Sequence, residues 1–321
     1  MNKRTETKFD PQITSDEHAG ENGSRRYLMN RFAGIFLLTF LLSLLPLLTI
    51  QAEQKKTKAF QRPQPDKAVV YKQTPQGELK INIFLPEDVK QGEPRPAIIF
   101  FFGGGWVGGA PTQFYPHCKY LADRGMVAFA AEYRIKKKHN TSPFECVEDG
   151  KSAIRSVREH AKQWNIDPDR IAAGGGSAGG HVAASTALIS GLEAEGENKK
   201  IRSTPDALVL FNPVLDTTQT GWKGGYKRLG DRCKELSALH YIDDKTPTTI
   251  IFHGTADTTV PYENAERFQK IMKEHHNRCE LFGYPDRKHG FFNAGKNRED
   301  YQDTVSKMDT FLVSLGWLSK P

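Results

Sequence analysis

The run Gly174-Gly175-Gly176-Ser177-Ala178-Gly179-Gly180 is where the sequence most clearly prepares for chemistry. It follows a short apolar run at 170–173 and opens an Ala-rich stretch of helical character. Residues 175–179 fit G-x-S-x-G. A hydroxyl at a sharp strand-to-helix turn needs neighbours nearly free of side chain, and the helix start beneath it favours developing negative charge. Gly174, Gly176 and Gly179 also fit G-x-G-x-x-G, the dinucleotide fingerprint. That motif wants an acidic residue about 20 positions on, at the end of a second strand. Glu193 and Glu195 lie near that distance, but in a polar loop, and four expected strands precede the motif. A purely structural glycine turn is the third reading.

A serine nucleophile needs a base, and the base needs a carboxylate to orient it. Asp257 follows the strand-like run 248–252, in His253-Gly254-Thr255-Ala256-Asp257. His289 follows the run ending at Tyr284, in Arg287-Lys288-His289-Gly290-Phe291. All three residues fall just past the carboxyl ends of expected parallel strands, where open α/β sheets place their ligands. His181 sits four residues beyond Ser177 on the same helix, and His253 at a strand end is expected to brace the acid loop. Asp243 and Asp244 precede their strand, on its wrong side. Acyl transfer also requires donors for an oxyanion. The run Phe102-Gly103-Gly104-Gly105-Trp106 supplies backbone N–H groups, and we assign Gly104, Gly105 and Ala178 as donors.

Together, the glycine run before Trp106, the elbow at 175–179, His253-Gly254-Thr255-x-Asp257-x-x-Val260-Pro261 and His289-Gly290-Phe291 resemble the α/β-hydrolase superfamily. The likeness is greatest to its hormone-sensitive-lipase-like branch, with its acetyl, acetylxylan and feruloyl esterases. It covers roughly residues 67–315 and includes Tyr133-Arg134 after the next strand. The branch usually carries His where Phe102 stands, a residue that braces the oxyanion loop without donating to the oxyanion. The resemblance implies a serine esterase with Ser177 as nucleophile, His289 as base and Asp257 as the orienting acid. It implies no cofactor, and no His/Cys/Asp/Glu cluster has zinc spacing. Two other classes remain open: an amide or peptide hydrolase (aminopeptidase-like or arylformamidase-like) on the same triad, and a non-catalytic binding protein that keeps the fold.

The elements that must hold these residues alternate. Strand-like runs at 80–85, 97–102, 126–131, 170–173, 207–211, 248–252 and 280–284 are short and mostly apolar throughout, as strands buried on both faces are. Helical patterns fall at 115–124, 178–189, 263–275 and 300–315. Val147, Ile154, Val157, Ala161 and Trp164 form one apolar stripe, which Asp167-Pro168 is expected to end. This predicts an α/β-hydrolase fold, a mostly parallel sheet flanked by helices. Residues 216–245 break the rhythm and read as a small insertion over the active site. Trp106, Trp222 and Tyr226 are candidates for stacking on sugar rings.

The chain of 321 residues is 38% hydrophobic and 26% charged, with a net charge of +7. That composition excludes disordered, collagen-like and polytopic membrane classes. The basic residues are dispersed, with short clusters such as Lys136-Lys137-Lys138, which argues against a nucleic-acid partner. Residues 32–50 are uncharged and apolar, preceded by Arg25, Arg26 and Arg31 and followed by Ala52. They read as a signal peptide, or a membrane anchor if uncleaved. Met29 offers an alternative start. The expected organisation is an N-terminal extension with signal at 1–52, a Pro-containing linker at 53–66 and a catalytic domain at 67–321. The expected location is secreted or periplasmic, and the expected partner is a small or carbohydrate-linked ester. Cys118, Cys146, Cys233 and Cys279 allow three full pairings, and spacing does not choose among them.

Overall fold

The computed structural model describes residues 61–87 and 93–320. The expected signal segment within 1–52 and residues 53–60 of the expected linker lie outside them. Within them, eight strands form one sheet: β1 (Lys67–Thr74), β2 (Gly77–Phe84), β3 (Arg95–Phe101), β4 (Val127–Ala131), β5 (Ile166–Gly176), β6 (Ala207–Phe211), β7 (Thr248–Gly254) and β8 (Cys279–Tyr284). Their order is β1-β2-β4-β3-β5-β6-β7-β8. Pairings of β2 with β1 and β4 are antiparallel, and all those from β4 to β8 are parallel. The longer helices among the described residues are α1 (Tyr115–Asp123), α2 (Pro143–Glu159), α3 (Ala178–Leu188), α4 (Lys223–Leu229), α5 (Glu263–Glu274) and α6 (Arg298–Ser314), with a four-residue helical turn at Lys136–His139. The α/β-hydrolase fold expected from the sequence is the fold observed.

Alternation along β3 shows why the strands read as continuous apolar runs. Ala97, Ile99 and Phe101 enter one core with Ile154 and Val157 of α2, Val182 of α3 and Phe268 of α5. Ile98 and Phe100 enter the other with Leu121 of α1 and Met308 and Phe311 of α6. Helices cover both faces, so neither face of the central strands needs polar residues.

Two boundaries differ from expectation. Helix α2 starts earlier, because Ser142 and Glu145 form a capping box with Pro143 in the first turn. It also ends earlier, at Glu159, and Asn165 turns the chain with φ 52°. Ala161 and Trp164 still pack on the core from this turn. Asp167-Pro168 therefore lies inside β5, where pairing jumps from Arg95↔Ile166 to Ala97↔Ile171. The proline occupies that irregularity, where no ladder N–H is needed.

Strand β1 was not expected. It is an edge strand joined to β2 by a turn that Gly77 closes at φ 119°. Residues 61–66 carry no regular structure, and Asp66, just before β1, accepts from the Leu85 N–H at 2.7 Å. All four cysteines are buried and free, so no disulfide joins them. Among the described residues, no helix is long and apolar enough to cross a membrane.

Candidate active site

Strand β5 ends in three glycines because nothing larger fits. A Cβ on Gly175 would lie 2.6 Å from the Phe101 carbonyl oxygen, and one on Gly179 would lie 2.0 Å from it. The close approach of β5 and α3 to the end of β3 leaves Ser177 on the turn between strand and helix. Its backbone is at φ 55°, ψ −120°, a strained conformation for a non-glycine residue.

The three candidate residues come together. His289 Nε2 is 2.9 Å from Ser177 Oγ, and His289 Nδ1 is 2.6 Å from Asp257 Oδ2. Asp257 Oδ1 accepts from the N–H groups of Thr259 and Val260, at 2.8 and 3.0 Å. Burial alone would raise the Asp257 pKa. Hydrogen bonds from His253, His289 and the Val260 N–H outweigh it and hold the carboxyl well below the usual range. Asp257 is therefore ionised at neutral pH and acts as an acceptor. That fixes the proton of a neutral His289 on Nδ1 and leaves Nε2 free to accept from the serine.

His253 braces the acid loop as expected. Its Nε2 lies 3.1 Å from the Val260 carbonyl and 3.2 Å from Asp257 Oδ2. Both neighbours are acceptors, so this nitrogen carries hydrogen. His181 is fully buried, donates from Nε2 to the Leu236 carbonyl at 2.7 Å and meets Trp106 edge-on. Burial lowers its pKa to about 4. It ties α3 to the insertion and is not a rival base.

The glycine loop lies against the elbow. The Cβ position of Gly103 is 3.3 Å from Ser177 Cβ. Val107 and Gly108 donate to the Gly104 carbonyl, curling the loop so tightly that a Cβ on Gly104 would be 2.1 Å from the Gly108 oxygen. The N–H groups of Gly104, Gly105 and Ala178 have no acceptor among the described residues. Phe102 stacks on Tyr133 at 4.3 Å, and the Tyr133 hydroxyl donates to the Phe102 carbonyl at 2.5 Å. Stacking thus holds the position where the branch usually has His. Arg134 is turned away, pairing with Asp149 and Glu148.

Three side chains of the site were not anticipated. Gln113 Oε1 accepts from the Gly103 N–H at 2.7 Å, and its Nε2 donates to Asn293 Oδ1 at 3.0 Å. Asn293 Nδ2 in turn donates to the Gly290 carbonyl at 2.7 Å. Asn212 Oδ1 accepts from the Gly290 N–H at 2.8 Å. Only Asn212 left a signal, as a polar residue closing the apolar run of β6 at the sheet's carboxyl edge. Trp106 corrects one expectation. It is 1% exposed and packs on His181 and Trp222, so it offers no face to a sugar.

The BD-FAE family model matches residues 81–272, more than half of the chain. The chain belongs to the BD-FAE family. The dienelactone hydrolase family model also matches residues 230–319. An acetylxylan esterase of Xylanibacter ruminicola is 29% identical over 230 residues, covering 67% of this chain and 44% of that protein. Esterase LipQ of Mycobacterium tuberculosis is 27% identical, covering 60% and 49%. The chain spans about half the length of the curated relatives it matches. Among solved structures, Thermogutta terrifontis esterase 2 phosphonylated by sarin is 44% identical with a TM-score of 0.78, covering 83% of this chain and 100% of that one. The same esterase with propionate bound gives 45%, 0.77, 83% and 99%. This BD-FAE member thus has esterases as its relatives in sequence and in fold.

Proposed function

We propose that the protein is an exported serine carboxylesterase that removes short acyl groups, acetyl groups on polysaccharide among them. The observation that carries the reading is the hydrogen-bonded line Ser177–His289–Asp257 at the start of α3. In this mechanism Ser177 Oγ attacks the ester carbonyl while His289 Nε2 takes its proton. Asp257 stabilises the imidazolium that forms. The N–H groups of Gly104, Gly105 and Ala178 receive the oxyanion; losing one such donor typically slows catalysis ~100- to 1,000-fold. Collapse expels the alcohol with the proton from His289. Water activated by the same histidine then releases the acid and restores Ser177.

Short acyl groups are favoured because the insertion is small and the similar Thermogutta esterase 2 is known with propionate and with butyrate bound. An acetylxylan esterase among the relatives and the apolar segment at 32–50 support an extracellular polysaccharide ester. The test compares p-nitrophenyl acetate, butyrate and octanoate with an aminoacyl anilide. Turnover declining from acetate to octanoate, and lost in Ser177→Ala, supports the reading. Cleavage of the anilide alone would replace it with an amidase, and equal, negligible rates in both folded proteins would remove it.

A further inference from the structure

Arg228 belongs to α4, within the insertion, yet it reaches the oxyanion loop. Its Nη2 is 3.3 Å from the place where a Cβ on Gly105 would lie. One hydrogen bond, from Nη1 to the Gly224 carbonyl at 2.6 Å, anchors it. Its guanidinium carbon is 5.4 Å from the Trp222 ring centroid and 6.0 Å from that of Trp106. The aromatic rings orient the planar group without neutralising it. No carboxylate pairs with Arg228 among the described residues.

Its surroundings are net positive. A cavity of about 480 Å³ is lined by Gly105, Trp106, Arg228, Lys227 and Lys136. Glu145 also lines it; the N–H and hydroxyl of Ser142 donate to that carboxylate and favour its ionised form, so it offsets one of the three positive charges and leaves the lining net positive. A second cavity that borders the glycine loop, of about 400 Å³, is lined by Gly103, Gln113, Arg62 and Lys296, with no Asp or Glu in its lining. An excess of cations in the two cavities that border the glycine loop raises the local concentration of anions and repels cations. A neutral ester has no use for such a field.

We propose that this site selects esters that carry an anionic group, a carboxylate or a sulfate-type oxyanion, which Arg228 binds beside the oxyanion loop. The proposal rests on the esterase reading and names the substrate class of that same site. Arg228 touches the charged group of the substrate and takes no part in proton transfer.

The test uses the full chain and three acetate esters with similar phenol leaving groups: 4-acetoxybenzoate, 4-acetoxybenzenesulfonate and neutral 4-acetoxybenzamide. The quantity read is kcat/KM for each anion divided by that for the amide. Comparing this ratio between proteins cancels the intrinsic reactivity of the esters. In Arg228→Gln the ratio should fall roughly tenfold, the size of one charge-assisted hydrogen bond. In the unaltered protein it should fall as salt rises from ~0.02 to ~0.5 M, a reading that survives if the variant fails to fold. Lys67→Gln removes the same charge from edge strand β1 and should leave the ratio where it was. A fall for only one of the two anions identifies which is recognised. A ratio indifferent to Arg228→Gln and to salt overturns the proposal while leaving the esterase reading intact. Failure to cleave any of the three overturns the esterase reading itself.

Discussion

Gln113 and Asn293, 180 positions apart in sequence, meet through a 3.0 Å hydrogen bond that joins the two loops of the proposed chemistry. One end of the link holds the Gly103 N–H, next to the proposed oxyanion donors. The other holds the Gly290 carbonyl, next to the proposed base. Replacing Gln113 with Met keeps length and volume but removes both bonds. We expect kcat on p-nitrophenyl acetate to fall roughly 10- to 100-fold, as for a misplacement of about 1 Å, with KM changed less. Stability should drop by only ~1 kcal/mol, read from urea unfolding. A fall in stability with unchanged kcat would make the link merely structural.

Asp257 fixes the tautomer of His289 through the 2.6 Å contact to Nδ1. Asp257→Asn keeps the shape and offers an amide where an acceptor is needed. We expect kcat at neutral pH to fall on the order of 10⁴-fold with the fold retained, by steady-state assay beside circular dichroism. A loss under tenfold would show that His289 does not depend on Asp257.

His117 gives a pH signature unrelated to catalysis. It is fully buried, with Phe114, Phe211 and Tyr301 ring centroids 5.0 to 5.2 Å away, and neither ring nitrogen has a hydrogen-bond partner among the described residues. Burial lowers its pKa to about 3. Between about pH 6.5 and 3 the unfolded chain binds a proton here that the folded protein refuses. This contribution is therefore fully present above pH 6.5 and is lost as pH falls. At pH 5 the penalty is on the order of 2 kcal/mol. His117→Phe should raise Tm more at pH 5 than at pH 8. An equal change at both would mean that His117 takes up its proton at the same pH in the folded and the unfolded chain.

How legible the protein is from its sequence varies with what dictates each residue. Ser177, Asp257 and His289 stand out because chemistry fixes their types and the parallel sheet fixes their place after strands. The elbow glycines stand out because the Phe101 carbonyl leaves no room for a Cβ. Gln113 and Asn293 were invisible, since nothing local requires them and their partnership exists only once the sheet has brought both loops to one edge. Strand β1 was missed because its side chains, mostly exposed or half-exposed, give no buried apolar run. The early end of α2 was missed because Ala161 and Trp164 keep a helical spacing of apolar contacts after the helix has stopped.

The central claim is that Ser177 is an activated nucleophile, and covalent capture tests it most directly. The full chain is treated with one equivalent of paraoxon, the reagent that phosphorylates the similar Thermogutta esterase 2. The account predicts about one p-nitrophenolate released per protein. It also predicts a diethylphosphoryl group on the peptide carrying Ser177, and loss of esterase activity in step with labelling. No label on Ser177, with ester turnover continuing, would contradict it.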